Sequence, residues 1–188
     1  MSQPRTVAVL VGSLRKDAAS RKLARAFERL TPNLSFREVA IGDLPLFNQD
    51  LEATPPAPWV TFREAIKATD ALLFVTPEYN RSVPAVLKNA IDVGSRPYGS
   101  SVWHGKPGAV ISNSPGAVGG FGANHHLRQS LVFLNVPVLS LEAYVGNVFS
   151  LFNDKDELIN DSTASFLTQY GEAFSAWIET IIAHSKTA

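Results

Sequence analysis

Two hydrophobic rhythms alternate along the chain. Thr6–Val11 (TVAVLV) is an unbroken apolar run, the pattern of a parallel strand buried on both faces. It stops at Gly12-Ser13, and Leu23, Phe27 and Leu30 then recur at helical spacing. Ser35–Ile41 reads as a second strand, polar enough to be an edge. Gly42–Trp59 holds Pro45, Pro55, Pro56 and Pro58 and predicts a long loop, followed by a helix over Thr61–Ala68. Ala71–Val75 (ALLFV) is a third buried strand, and Pro84 opens a helix striped by Val86, Leu87, Ala90 and Ile91. Gly94–Gly105 predicts a loop. Pro107–Asn113 predicts the fourth strand, Leu127, Leu131 and Leu134 a helix, and Val136–Leu141 the fifth strand. The last helix keeps Leu167, Tyr170, Phe174, Trp177, Ile178 and Ile181 on one face.

Five strands, each followed by a helix, predict one α/β domain over 1–188, a doubly wound sandwich. Right-handed crossovers place the loops after strands one, three and four at one sheet edge, where such folds bind ligands.

Composition narrows the chemistry. Lys plus Arg and Asp plus Glu number 17 each, so nucleic acid and membrane surfaces are not expected partners. The absence of cysteine excludes thiolate catalysis, Cys-ligated metals and disulfides. No apolar run nears the roughly 20 residues of a membrane span. Met1–Arg5 leads straight into a strand without the pattern of a signal peptide, so a cytoplasmic location is expected.

The first loop, Gly12 to Arg21 (GSLRKDAASR), sits where a helix N-terminus offers amides to an anion. Ser13 and Ser20 add hydroxyls, and Arg15 can fork onto phosphate oxygens. The run is neither GxxxxGK[ST] nor GxGxxG, so a single phosphate suits it better than a triphosphate or a dinucleotide. The competing reading makes Ser20 a helix cap and Arg15 a solvated charge. The second loop, Pro77-Glu78-Tyr79-Asn80-Arg81-Ser82-Val83-Pro84, brings an aromatic, an amide and backbone N–H groups to the same edge, a setting for a flat heterocycle; an ordinary turn is its alternative. The third loop carries Ser114 and four glycines, Gly116, Gly119, Gly120 and Gly122, which allow close approach of a ligand or simply a pliable surface. No metal site is expected. His125 and His126 would diverge by about 100° on a helix, and Asp154-Lys155-Asp156-Glu157 lacks the glycine and closing glutamate of a calcium loop. Ser114 is not in a Gly-x-Ser-x-Gly elbow.

Together, Gly12-Ser13-Leu14-Arg15-Lys16, Pro77-Glu78-Tyr79-Asn80 with Ser-Val-Pro and Leu87-Lys88-Asn89-Ala90-Ile91-Asp92, and Ser114 with Gly119-Gly120 resemble the NAD(P)H-dependent FMN reductases. Within that family the chain looks most like the bacterial quinone and chromate reductases. The resemblance implies a flavodoxin-like fold with a five-stranded parallel sheet in order 2-1-3-4-5 and one FMN per subunit. It implies that Ser13, Leu14, Arg15, Lys16, Asp17, Ala18, Ala19 and Ser20 wrap the FMN phosphate. Pro77, Glu78, Tyr79, Asn80 and Arg81 would border the isoalloxazine ring, and Ser114, Gly116 and Gly119 would close the other side. The chain departs from the resemblance at Ala18, where a serine is common, and at Ser20, where asparagine is frequent.

The implied reaction is ping-pong: NADPH or NADH reduces the flavin, then a small-molecule electron acceptor such as a quinone or chromate oxidises it. No acid–base side chain is required, since the chemistry lies on the FMN. The resemblance also implies a homodimer or homotetramer. A flavodoxin-type electron carrier is the main alternative, although carriers tend to be acidic and this chain is neutral. Reduction of azo or nitro compounds, or of free FMN, would use the same site.

Overall fold

In the computed structural model, which describes residues 3–185, the apolar runs form a parallel sheet of β1 (Arg5–Val11), β2 (Leu34–Glu38), β3 (Ala71–Pro77), β4 (Gly108–Asn113) and β5 (Ala143–Val145). Met1 and Ser2, where the N-terminal expectation begins, lie outside the described residues. The strand order is β2-β1-β3-β4-β5, as the resemblance implies. Five helices flank the sheet: α1 (Ala19–Leu30), α2 (Ala57–Lys67), α3 (Ala85–Ser95), α4 (Phe121–Phe133) and α5 (Asp161–Ser185).

Strand alternation sorts the core into two layers. Val7, Val9 and Val11 of β1 pack with Leu73 and Val75 against Leu23 and Phe27 of α1 and Leu167, Tyr170 and Phe174 of α5. Ala8 and Leu10 face the other way, with Leu72, Phe74 and Val110, onto Phe62 of α2, Leu87 and Ile91 of α3, and Leu127 and Leu131 of α4. The central strands are therefore covered on both sides, which is why they read as unbroken apolar runs. The polar second strand is indeed an edge.

Two expectations are corrected. The helix placed at Thr61–Ala68 begins at Ala57, because Pro58 fits the first turn, where a missing N–H costs nothing. The fifth strand is not Val136–Leu141 but Ala143–Val145, paired with Ile111–Asn113 of β4. The earlier segment makes one bridge, Val138 with Gly108, and then leaves the sheet. Its backbone is satisfied elsewhere: Arg128 Nη2 donates to the carbonyls of Leu139 (2.9 Å) and Leu141 (2.8 Å). Across the gap, the Tyr170 hydroxyl donates to Val110 O (3.0 Å) and accepts from Val110 N (3.2 Å), taking the place of a neighbouring strand.

The proline-rich segment is fixed by a residue of the LKNAID run. Buried Asn89 accepts from Phe47 N (2.8 Å) and donates to the Leu44 and Pro45 carbonyls (both 3.2 Å). Trp103, fully buried in the 94–105 loop, lies so close to Gly94 that a Cβ there would sit 2.4 Å from the indole.

Candidate active site

The carboxyl ends of β1, β3 and β4 open into one cleft of about 190 Å³. It is lined by Ser13, Arg15, Ala18, Ala19 and Ser20 from the first loop, Pro77, Glu78 and Tyr79 from the second, and Asn113 and Pro115 from the third. Val148 and Phe149, just beyond β5, complete it. A second hollow of about 360 Å³ shares Ala19, Val148 and Phe149 and adds Asp17 and Lys22. The three loops chosen from sequence thus meet in space.

At one end lies the N-terminus of α1. Its N-cap is Ala18, buried and without an oxygen to accept from the helix's first amides. Ser20 is therefore not the cap. Its hydroxyl is buried and paired with the Asn113 side chain, which donates to it at 2.9 Å. Arg15 is exposed on the rim. The loop is clamped from behind by Arg21, which donates to Arg15 O (2.8 Å) and Ser13 O (3.4 Å) while pairing with Glu38 (3.1 Å). An uncapped helix start, two buried hydroxyls and an arginine are the donor set of an anion site.

The other end is formed by Pro77, Glu78 and Tyr79. Tyr79 and Ser82 exchange both backbone hydrogen bonds (3.0 and 2.9 Å), closing a two-residue hairpin with Asn80 and Arg81 at φ of 50° and 63°. The hairpin is anchored to α4. Glu78 Oε2 accepts from Ala123 N (3.1 Å) in the first turn of that helix, and Oε1 pairs with Arg81 (3.3 Å). Gly122 makes the approach possible, since a Cβ there would lie 2.6 Å from Arg81 O. Tyr79 itself lines the cleft and is 47% exposed.

Several expected site residues stand outside the cleft lining. Leu14 turns outward, over Gly42, and Lys16 is exposed. Asn80 and Arg81 form the hairpin tip. Ser114 Oγ donates to Gly116 O (2.9 Å), and its N–H donates to Val145 O (3.1 Å). Nothing lies near a Cβ built on Gly116. Gly119, at φ +64°, is a packing glycine: a Cβ would sit 2.7 Å from the backbone of Tyr144. Asn113, Pro115, Val148 and Phe149 line the cleft without having been named as site residues from the sequence. Only the terminal position of Asn113 on a strand could have signalled it.

The two histidines of α4 take separate partners, His125 with Tyr144 Oη (2.9 Å) and His126 with Ser82 Oγ (3.0 Å). Burial, together with the neighbouring Glu142 carboxylate, pushes the Tyr144 hydroxyl up to about 12. The 153–157 turn is organised by Asn153, whose side chain accepts from the Lys155 (2.9 Å) and Glu157 (3.0 Å) amides.

The cleft thus offers anion donors at the α1 end and the Pro77, Glu78 and Tyr79 side chains at the other. Known proteins resemble this chain over most of its length. The family model for NADPH-dependent FMN reductase matches residues 5–150. A quinone reductase from Pseudomonas putida is 59% identical over 182 residues, covering 95% of this chain and 97% of that protein. A 2-hydroxy-1,4-benzoquinone reductase from a Burkholderia species is 42% identical over 174 residues, covering 92% and 95%. The solved structure of FerB, a flavoenzyme NAD(P)H:(acceptor) oxidoreductase from Paracoccus denitrificans, superposes with a TM-score of 0.89 at 42% identity, covering 94% of this chain and 98% of that one. With the three loops converging on one cleft inside the matched region, the chain belongs to the NADPH-dependent FMN reductase family.

Proposed function

We propose that the chain carries electrons from NAD(P)H, through one FMN per subunit, to small acceptors, with quinones as the principal class and chromate as a further oxidant. Family membership makes it a flavin-dependent oxidoreductase with FMN as cofactor and NAD(P)H as electron donor. One observation carries the assignment of the cleft: an uncapped helix N-terminus beside Arg15 at one end and Pro77, Glu78 and Tyr79 of the second loop at the other.

When bound, FMN supplies a ring that accepts hydride and passes two electrons on. The protein's part is binding and orientation. Ser13, Arg15, Ser20 and the first amides of α1 hold the phosphate, with Leu14, Lys16, Asp17, Ala18 and Ala19 shaping the loop around it. Pro77 to Arg81 border the ring on one side, and Ser114, Gly116 and Gly119 shape the loop on the other. Tyr79, half-exposed at the cleft, would leave room beside the bound ring for a nicotinamide or a small acceptor. No proton-transferring side chain is assigned.

The test is steady-state oxidation of NADPH and NADH with a quinone panel and chromate. Parallel double-reciprocal lines and rapid bleaching of bound flavin by a nicotinamide alone are expected. Failure of both nicotinamides to bleach the flavin would identify an electron carrier instead.

The reading extends to the whole of 1–188 as one FMN-binding domain, in a cytoplasmic homodimer or homotetramer. Apolar side chains left exposed on α4, Val132 (64%) and Phe133 (85%), support self-association. Among the described residues no helix is long and apolar enough to cross a membrane. Light scattering on purified protein tests the assembly; a monomer at micromolar concentration removes that part.

A further inference from the structure

Asn113 closes β4 opposite Pro77 of β3 and Val145 of β5, at the point where the sheet opens into the cleft. It is 2% exposed, yet lines the cleft floor. The orientation of its amide follows from Thr76 O, which can only accept: Nδ2 must face that carbonyl, at 3.1 Å. The second Nδ2 proton is given to Ser20 Oγ at 2.9 Å. Ser20 is the second residue of α1 and is 1% exposed.

A hydroxyl has one proton and two lone pairs. With a lone pair of Ser20 filled by Asn113, its proton finds only Asn113 Oδ1 at 3.3 Å among the described residues. That separation lies beyond the roughly 2.5–3.0 Å of O–H···O bonds. The proton is therefore uncommitted, at the uncapped start of a helix, in a cleft that also contains Arg15.

We infer that Asn113 is a positioning residue for the cofactor phosphate. By donating to Ser20 Oγ it makes that hydroxyl an acceptor on its inner side and turns its proton outward, to a phosphate oxygen at the α1 N-terminus. The same amide ties the end of β3, through Thr76 O, to the first turn of α1, so the anion loop and the ring-bordering loop share one buried post. This inference rests on the placement of the FMN phosphate under Proposed function.

The experiment titrates FMN and riboflavin into flavin-free full-length protein: wild type, Ser20→Ala, Asn113→Ala, Asn113→Ser and the Ser20→Ala/Asn113→Ala double variant. The readout is the ratio of riboflavin to FMN dissociation constants in each protein. A loss of folded fraction scales both constants alike and leaves the ratio unchanged. Ser20→Ala should lower the ratio about 10- to 150-fold, the loss of a hydrogen bond to a charged group. Asn113→Ala should lower it by about 3- to 10-fold, with Asn113→Ser, which keeps a donor, closer to wild type. The double variant should be no worse than Ser20→Ala, because Asn113 acts through that hydroxyl. An unchanged ratio in Asn113→Ala, or additive losses in the double variant, overturns the inference. A wild-type protein that binds riboflavin as tightly as FMN overturns the phosphate placement itself, and this inference with it.

Discussion

Glu78 offers a direct test of how the cleft is held open. Its carboxylate reaches across from the end of β3 to the N-terminus of α4, accepting from Ala123 N at 3.1 Å. Its side chain is only 11% exposed, whereas its ion-pair partner Arg81 is 79% exposed. The pair with Arg81 therefore contributes little, since exposed ion pairs are worth about 0–1 kcal/mol. The helix contact is the larger contribution. A cap lost to alanine costs about 0.5–2 kcal/mol, and a carboxylate at a partly buried helix start gains up to about 2 kcal/mol from the dipole. These describe one contact and do not add, so Glu78→Ala should cost about 1–2 kcal/mol. For a chain of this size that lowers the flavin-free melting temperature by roughly 2–8 °C. Glu78→Gln keeps an accepting oxygen but loses the charge, and should fall between wild type and alanine. Since the hairpin bordering the ring is displaced, FMN and riboflavin should weaken in parallel. Differential scanning calorimetry and flavin titration measure both. A Glu78→Ala protein melting within a degree of wild type would refute the capping argument.

Arg15→Ala should weaken FMN by about 10-fold, the lower end for a charge-assisted pair because the side chain is exposed, while riboflavin affinity stays unchanged; equal effects on both would make Arg15 a surface charge. Ala18→Ser places an oxygen at the uncapped N-cap of α1 and should raise the flavin-free melting temperature by about 2–4 °C, for a cap worth ~1 kcal/mol; no rise means the helix start is already satisfied. Tyr170 is pushed up to about 12, chiefly by burial, from an ordinary value of 10. Above pH 10 the unfolded chain binds fewer protons at this group than the folded one, so its contribution is full below pH 10. It is lost as pH rises towards 12, by about 2–3 kcal/mol. Denaturant unfolding between pH 9 and 12 should show that decline, and Tyr170→Phe should make it shallower; the same slope in both proteins refutes the assignment.

Hydrophobic periodicity reports which faces of an element are buried, and that much the sequence by itself determined. The runs at Thr6–Val11 and Ala71–Val75 marked central strands because both faces of β1 and β3 meet a helical layer. With the strands in parallel and the crossovers right-handed, the three loops had to share one edge, so the location of the cleft was legible too. The hydrogen-bond partners at that edge were not. The fifth strand was misplaced because the Val136–Leu141 run is as apolar as a strand, yet beyond its one bridge to Gly108 its carbonyls are taken by Arg128 and β4 is bonded there by Tyr170, 60 residues away. Ser20 was expected either to hold phosphate or to cap the helix; the helix start at Ala19 removes the cap, and its partner Asn113 arrives from 93 residues downstream. Glu78 lines the cleft as expected of that loop, but the helix start its carboxylate holds lies 45 residues on. A burial pattern is a property of each segment against solvent, and it survives in the sequence. The partner of a buried polar group depends on which distant segment arrives next to it, and only the tertiary structure decides that.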